Sequence, residues 1–334
     1  MNLFLYNFMM FLLLPFIAIR VLFKSFKDKR GLLFENILRI AKYHKPKFLF
    51  LENVKHIKKI NNGDSFKYIL KRINETGYII NDDMVFEISP HHIGIPQNRE
   101  RVIFVCIRND IYDYKKKIEL NIPHPKHMKN IFQDEKEIDK KYKLKKEICD
   151  VLEVWDKMIH NFETGEKLSP TILCHEFYRK YTEDEYKKLP KWKQDYMTKN
   201  KQLYNKYKSL WDSWYSTNKN KLLQREIYGK LEWQTGKKKE NDSIFNHFIQ
   251  LRQSGIRVKK STYFPTLVAM VQTPIYGKYK RYITPRECAR LQSFPDDFIL
   301  HEKDNIAYKQ FGNSVNVDVI HLVIKNVLKL YNFL

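Results

Sequence analysis

A length of 334 residues allows one large domain or two of ordinary size, each able to bury a core. The 61 lysines and arginines outnumber the 38 aspartates and glutamates, a formal charge of +23; AT-rich coding bias accounts for part of the lysine content, but the excess fits a polyanionic partner, nucleic acid ahead of an anionic membrane surface. Four cysteines without a Cys-x-x-Cys spacing argue against a zinc ribbon, a thioredoxin-type pair or a disulfide scaffold, and point to a reducing, intracellular setting with no metal site.

Along the chain, Leu3 to Ile19 carries one strongly polar side chain, Asn7, and no charge, and is followed by Arg20, Lys24, Lys27, Lys29 and Arg30. Taken alone this is a membrane-anchor signal at the lower limit of spanning length, without the small-residue cleavage site of a secretory leader. Leu32, Leu33, Ile37, Leu38 and Ala41 then recur at helical spacing, and Phe48-Leu49-Phe50-Leu51 forms a short buried strand that ends at Glu52. Asp64 or Ser65 can cap a second helix carrying Phe66, Ile69, Leu70 and Ile73, which Gly77 stops before an extended stretch from Tyr78 to Ile80. Val102 to Val105 reads as another buried strand.

Strands apolar on both faces, alternating with helices, predict an α/β fold with a doubly wound, mostly parallel sheet. Ligands in such sheets bind beyond the carboxyl ends of the strands, where Glu52 stands. From about Asn109 to Lys260 lysine-rich runs interleave with Trp192, Trp211, Trp214, Trp233 and many tyrosines, and no sheet pattern emerges. Two readings stand for this region: a solvated insertion of loosely amphipathic helices, or a DNA-facing domain. After Tyr263 the apolar pattern returns. Thr284-Pro285-Arg286-Glu287 has the order of a capping box, and a final helix carries Val319, Leu322, Val323, Val327 and Leu330.

Five blocks stand in order: Asp28-x-Arg30-Gly31-x-Leu33-Phe34, Glu52-Asn53-Val54, Gly94-Ile95-Pro96-Gln97-x-Arg99-Glu100-Arg101, the run from Arg281 to Pro295, and Tyr308 to Val315. Together they resemble the consecutive motifs of the DNA cytosine-5 methyltransferases and bracket the chain from residue 28 to its end. The stretch from 110 to 250 is covered only by position. The resemblance implies an S-adenosylmethionine-dependent methyltransferase fold, incomplete at its N-terminus, with a smaller target-recognition domain. The corresponding divisions are an anomalous apolar segment at 1–25, a partial catalytic domain at 26–109, a target-recognition region at 110–260 and the rest of the catalytic domain at 261–334.

The family adds a cysteine thiolate to C6 of a flipped cytosine, lets C5 take the methyl group of S-adenosylmethionine, and then eliminates the enzyme. Addition at C6 pushes electron density onto N3, where a carboxyl group that can hold a proton stabilises the adduct. The resemblance assigns that role to Glu52. Arg101 matches the arginine that contacts cytosine O2 and steadies the glutamate, and Arg99 matches one that holds the catalytic loop or a backbone phosphate. Alternation on an extended segment puts Arg99 and Arg101 on one face. Leu33, Asn313, Ser314 and Val315 match positions around the methyl donor, and Arg257, Lys259 and Lys260 are candidate phosphate contacts. Double-stranded DNA is the implied partner and the cytoplasm or nucleoid the implied location, in the manner of restriction-modification enzymes.

Two family features are missing from the sequence: the Phe-x-Gly-x-Gly turn that cradles the donor, and the Pro-Cys that carries the nucleophile. None of Cys106, Cys149, Cys174 and Cys288 follows a proline. By distance from Asp28, the Pro-Cys is expected near Leu13 to Phe16, where Leu14-Pro15-Phe16 stands instead. The expectation is that residues 1 to about 25 are out-of-frame or alternative-start translation, with a membrane anchor as the rival. The chain then lacks activity alone and acts either as a non-catalytic DNA-binding module or as the C-terminal subunit of a split enzyme with a complementary N-terminal chain.

Overall fold

The computed structural model describes residues 31–123, 125–168, 171–268 and 272–334, the side chains of residues 31–33 excepted. The apolar stretch from Leu3 to Ile19, and the anomaly expected at 1–25, lie outside the described residues, as does the side chain of Leu33. Among the described residues no helix is long and apolar enough to cross a membrane.

The chain divides into two units, one comprising residues up to Ile131 together with Cys288–Leu334, the other Phe132–Glu287. In the first, α1 (Gly31–His44) buries Phe34, Leu38 and Ala41, which recur every three or four residues. It stops before Pro46, whose ring disfavours a helical Lys45. Next, β1 (Phe48–Val54) is apolar on both faces through Leu51. The second helix, α2 (Asp64–Asn74), buries Ile69 and Ile73. Its N-cap is Gly63 and not Asp64 or Ser65, because the chain turns in a left-handed conformation (φ 92°) one residue earlier. Asp64 still places its carboxylate in the first turn, where the helix dipole favours it.

Strands β2 (Tyr78–Ile79), β3 (Val85–Ile88) and β4 (Arg101–Arg108) complete this sheet. The long strand β4, buried at every position from Val102 to Ile107, is its centre. It pairs antiparallel with β1 along one edge and with β2 and β3 along the other. The α/β class is as expected, but among the described residues each pairing in this sheet is antiparallel. The reason is that β4 returns from β3 after a short connection and inserts between β3 and β1, which run in the same direction without touching.

The second unit has a core of its own. Helix α3 (Lys146–His160) buries Trp155 against Trp211 and Trp214 of α6 (Lys208–Leu223), with α4 (Glu183–Lys187) and α5 (Lys191–Lys206) between them in sequence. Two of these three buried indoles are matched, Trp155 donating to Tyr228 O at 2.7 Å and Trp214 to Val154 O at 2.9 Å, while Trp211 Nε1 has no acceptor among the described residues. A six-stranded sheet follows the order β10-β9-β7-β8-β6-β5, from β5 (Ile172–Leu173), β6 (Lys230–Gln234), β7 (Phe248–Arg252), β8 (Gly255–Lys259), β9 (Ile275–Tyr276) and β10 (Arg281–Tyr282). Loose, solvated helices are therefore not what this region forms.

The unit boundaries also differ from 110 and 260. Ile111, Tyr112, Ile118 and Leu120 pack into the first unit's core, while residues 275–282 supply two strands to the second unit's sheet. Across the second boundary runs α7 (Pro285–Leu291), begun by the expected capping box: Glu287 N donates to Thr284 Oγ1 at 3.1 Å and Thr284 N to Glu287 Oε2 at 2.9 Å. The first unit closes with α8 (Asp304–Asn313) and α9 (Val317–Leu330). Asn316 caps α9 through Val319 N, and Val319, Val323 and Val327 line its buried face.

Candidate active site

The apolar run of β1 ends at Glu52, and the register with β4 sets Val54 opposite Arg101. Glu52 lies two residues back from Val54, on the same face as Arg101 and diagonally across from it. The Arg101 Nε donates to Glu52 Oε1 at 2.7 Å, with less than a fifth of either side chain exposed. Burial pushes the Glu52 carboxyl above the ordinary carboxylate range, against the opposing attraction of Arg101 and then Arg99. Burial likewise lowers Arg101, with Glu52 opposing. Desolvation thus outweighs pairing for both partners, and the carboxyl is biased toward holding a proton.

Arg99 is 3% exposed, and burial followed by the like charge of Arg101 pulls its guanidinium down to about 9, still cationic at neutral pH. Its Nη2 donates to Gly312 O at 3.1 Å and Ser314 O at 2.7 Å, at the end of α8. Its backbone N–H donates to the Oγ of fully buried Ser89 at 2.9 Å. Glu52, Arg99, Arg101, Val315, Asn316 and Val319 line one shallow cavity of about 10 Å³, room for a water but not for a pyrimidine ring.

Among the other sequence-derived candidates, Asn313, Ser314 and Val315 are half-buried, and Ser314 Oγ donates to Phe311 O at 3.0 Å. Asn313 lies in sequence between the two residues whose carbonyls Arg99 anchors, Gly312 and Ser314, and its side chain has no hydrogen-bond partner among the described residues. A free amide on a fixed backbone fits a contact to a bound polar cofactor. Arg257 and Lys259 lie on β8 in the second unit, with Lys260 exposed just beyond it. Arg257 is not a free cation: its Nε donates to Glu232 at 2.6 Å. Burial, and then Arg257, lowers the Lys259 ammonium.

None of the residues lining the Glu52 cavity is a cysteine. Cys106 and Cys174 are fully buried, with their thiols pushed up by burial, and Cys288 is buried as well. Sequence reading missed Ser89, which fixes the Arg99 backbone, and Asn316, which lines the cavity while capping α9. A serine ahead of Pro90 and an asparagine ahead of a helical apolar run are the only sequence signals for them.

Comparison with known proteins gives a consistent result. The C-5 cytosine-specific DNA methylase family matches residues 23–329. The Type II methyltransferase M.BanI of Aneurinibacillus aneurinilyticus is 29% identical over 92% of this chain and 76% of that protein. M.Bsp6I of Bacillus sp. (strain RFL6) is 31% identical over 92% of this chain and 73% of its own length. Among solved structures, the Entamoeba histolytica methyltransferase EhMeth is similar over 90% of this chain and 69% of its own, at 18% identity and a TM-score of 0.43.

Proposed function

Because the chain belongs to the C-5 cytosine-specific DNA methylase family, we propose that Glu52 and Arg101 are the acid and orienting pair for methyl transfer from S-adenosylmethionine to C5 of a cytosine in double-stranded DNA. The observation that carries this reading is the buried 2.7 Å contact between Arg101 and a carboxyl group whose proton affinity is raised. A carboxyl that keeps its proton can donate it to N3 of a flipped cytosine as C6 is attacked. Arg101 holds that carboxyl in place and offers its remaining N–H groups to O2 of the base.

S-adenosylmethionine, when bound, supplies the electrophilic methyl group. On this chain Asn313, Ser314 and Val315 would hold it, with Leu33 by family position. Base capture requires the Glu52 cavity to widen, since its present volume excludes a ring.

The family's Pro-Cys and Phe-x-Gly-x-Gly motifs are not spelled in these 334 residues, and the reading tested below is that a complementary segment supplies them. The chain alone then acts as a DNA-binding partner without turnover, located with the nucleoid or cytoplasmic DNA. Arg257, Lys259 and Lys260 are the phosphate contacts we assign to the second unit as its DNA-recognition region.

A duplex carrying 5-fluorocytosine tests the assignment, because elimination is blocked and any attacking cysteine stays attached. With this chain and S-adenosylmethionine alone, no denaturation-resistant adduct is expected. Adding a chain that carries the Pro-Cys and glycine-rich segments is expected to give an adduct on that second chain, lost when Glu52→Gln is used. An adduct on the lone chain overturns the division of labour.

A further inference from the structure

The second unit contains a cavity of about 860 Å³ lined by Arg179, Trp192, Tyr196, Glu232, Arg252 and Arg257 among others. That volume is in the range of small-molecule sites. The charges around it are unequal. Glu176 is matched by Lys193 at 2.8 Å, and Glu226 by Lys230. Glu232, 5% exposed, faces two guanidinium groups: Arg257 Nε donates to it at 2.6 Å, and Arg252 Nη1 lies 3.6 Å away, beyond hydrogen-bond range. Ser254 Oγ donates to the same carboxylate at 2.5 Å. Arg179 rests on the Tyr181 ring at 4.9 Å.

One guanidinium of the cluster is thus incompletely satisfied. Arg252 Nη1 is buried and has no hydrogen-bond acceptor among the described residues. Buried donors of this kind are rare without a partner. Arg257, tied at Nε by a carboxylate opposite it in the β6–β8 register, is fixed with its outer N–H edge left for a second acceptor. Trp192, which lines the same cavity, is 59% exposed, an unusual placement for an indole, with the Tyr196 ring 5.9 Å away. Guanidinium groups and an exposed indole lining one cavity are the two elements that hold a phosphate and stack a base.

We propose that this cavity is a nucleotide site, in which Arg252 and Arg257 hold the phosphate and Trp192 stacks the base. The inference does not use Glu52; it shares Arg257 with the phosphate contacts assigned to the second unit and adds Arg252 and Trp192 to them. The nucleotide has two sources, a free mononucleotide or one unit of a DNA strand, and both present the same phosphate and base.

Calorimetric titration of the full chain with dAMP, inorganic phosphate, a single-stranded oligonucleotide and a duplex tests it. Binding of dAMP or of a strand, more tightly than of inorganic phosphate, is expected. Trp192→Ala and Arg252→Gln are each expected to weaken it about tenfold, the scale of one stacked base or one charge-assisted contact. Lys219→Gln removes the same charge from an exposed position outside the cavity and is expected to leave affinity unchanged. Sensitivity of dAMP binding to the cavity substitutions identifies the free nucleotide as a ligand, and sensitivity of strand binding alone identifies the DNA unit. Trp192 is mostly exposed, so its alanine variant keeps the fold even if Arg252→Gln does not. Binding unaffected by Trp192→Ala, or weakened equally by Lys219→Gln, overturns the proposal in favour of diffuse electrostatics, as does an absence of binding by dAMP and both DNAs.

Discussion

The Arg99 guanidinium donates to the Ser314 carbonyl at 2.7 Å, joining positions 215 residues apart in the chain. With a second bond to Gly312 O, one buried side chain fixes the segment that holds Asn313 beside the cavity that contains Glu52. The Asn313 segment and the Glu52 cavity are thereby held as one piece.

Arg99→Ala removes both bonds and leaves two carbonyls without that donor. Hydrogen bonds to charged groups contribute about 1.5–3 kcal/mol, and relief of a buried charge offsets part of that loss. A net destabilisation of about 1–2 kcal/mol is expected from urea unfolding. Amide exchange at residues 312–315 should rise by more than in α1, since the loss is local. Equal change in both regions would mean that Arg99 stabilises the unit as a whole and does not anchor this segment.

Gly94 lies in the block that leads to Arg99 and adopts φ +87°, and an added Cβ would meet the Pro125 ring at 2.6 Å. Gly94→Ala therefore combines left-handed backbone strain with a clash, and is expected to cost about 1–3 kcal/mol. The comparison is Gly77→Ala, where φ is +90° and no atom lies within 4 Å of the new Cβ. Its cost should be the backbone part alone. Equal losses in the two variants would exclude a role for the Pro125 contact.

These contacts separate what was legible in the sequence from what was not. Phe48 to Leu51 ends at Glu52 by an apolar run, α9 follows valines spaced by four, and Thr284 with Glu287 spells a cap; each is a local rule that acts within a few residues. Arg99 binding two carbonyls near Ser314 has no such signature, because every residue carries a carbonyl. The sheet of the second unit was hidden because its strands are two to five residues long and carry Lys230, Glu232, Arg257 and Lys259 among the apolar positions. The antiparallel placement of β4 depended on pairing partners, which periodicity does not name.

Arg281 and Glu287 are both fully buried and joined at 2.8 Å, with Glu135 completing the guanidinium at 2.6 Å. Glu287→Ala takes away the fully buried partner of Arg281, leaving Glu135 alone to match the guanidinium, and also deletes half of the α7 capping box, so a loss of about 3–5 kcal/mol is expected. Glu153 pairs with Lys280 at the same 2.8 Å, but nearly half of each side chain is exposed. Glu153→Ala should cost about 0–1 kcal/mol and less in high salt. Urea midpoints of the two variants check the contrast, and comparable losses would show that distance, not burial, sets the worth of these pairs.

Glu52 gives the pH dependence most directly tied to the proposed chemistry. Its carboxyl is raised in the folded chain above the ordinary value of 4.5, so the fold binds this proton more tightly than the unfolded chain does. The favourable contribution is complete below 4.5 and is lost as pH rises through the folded value. In Glu52→Gln that titration is absent, while the other ionisable groups largely cancel in the comparison. The stability difference between the two proteins should therefore move toward the glutamine variant as pH increases from 4.5, and stay level at lower pH. Urea unfolding of both across pH 4 to 8 measures it. A difference moving toward the wild type would mean that attraction to Arg101 and Arg99 outweighs burial and holds Glu52 ionised, which removes the basis for its role as a proton donor to N3.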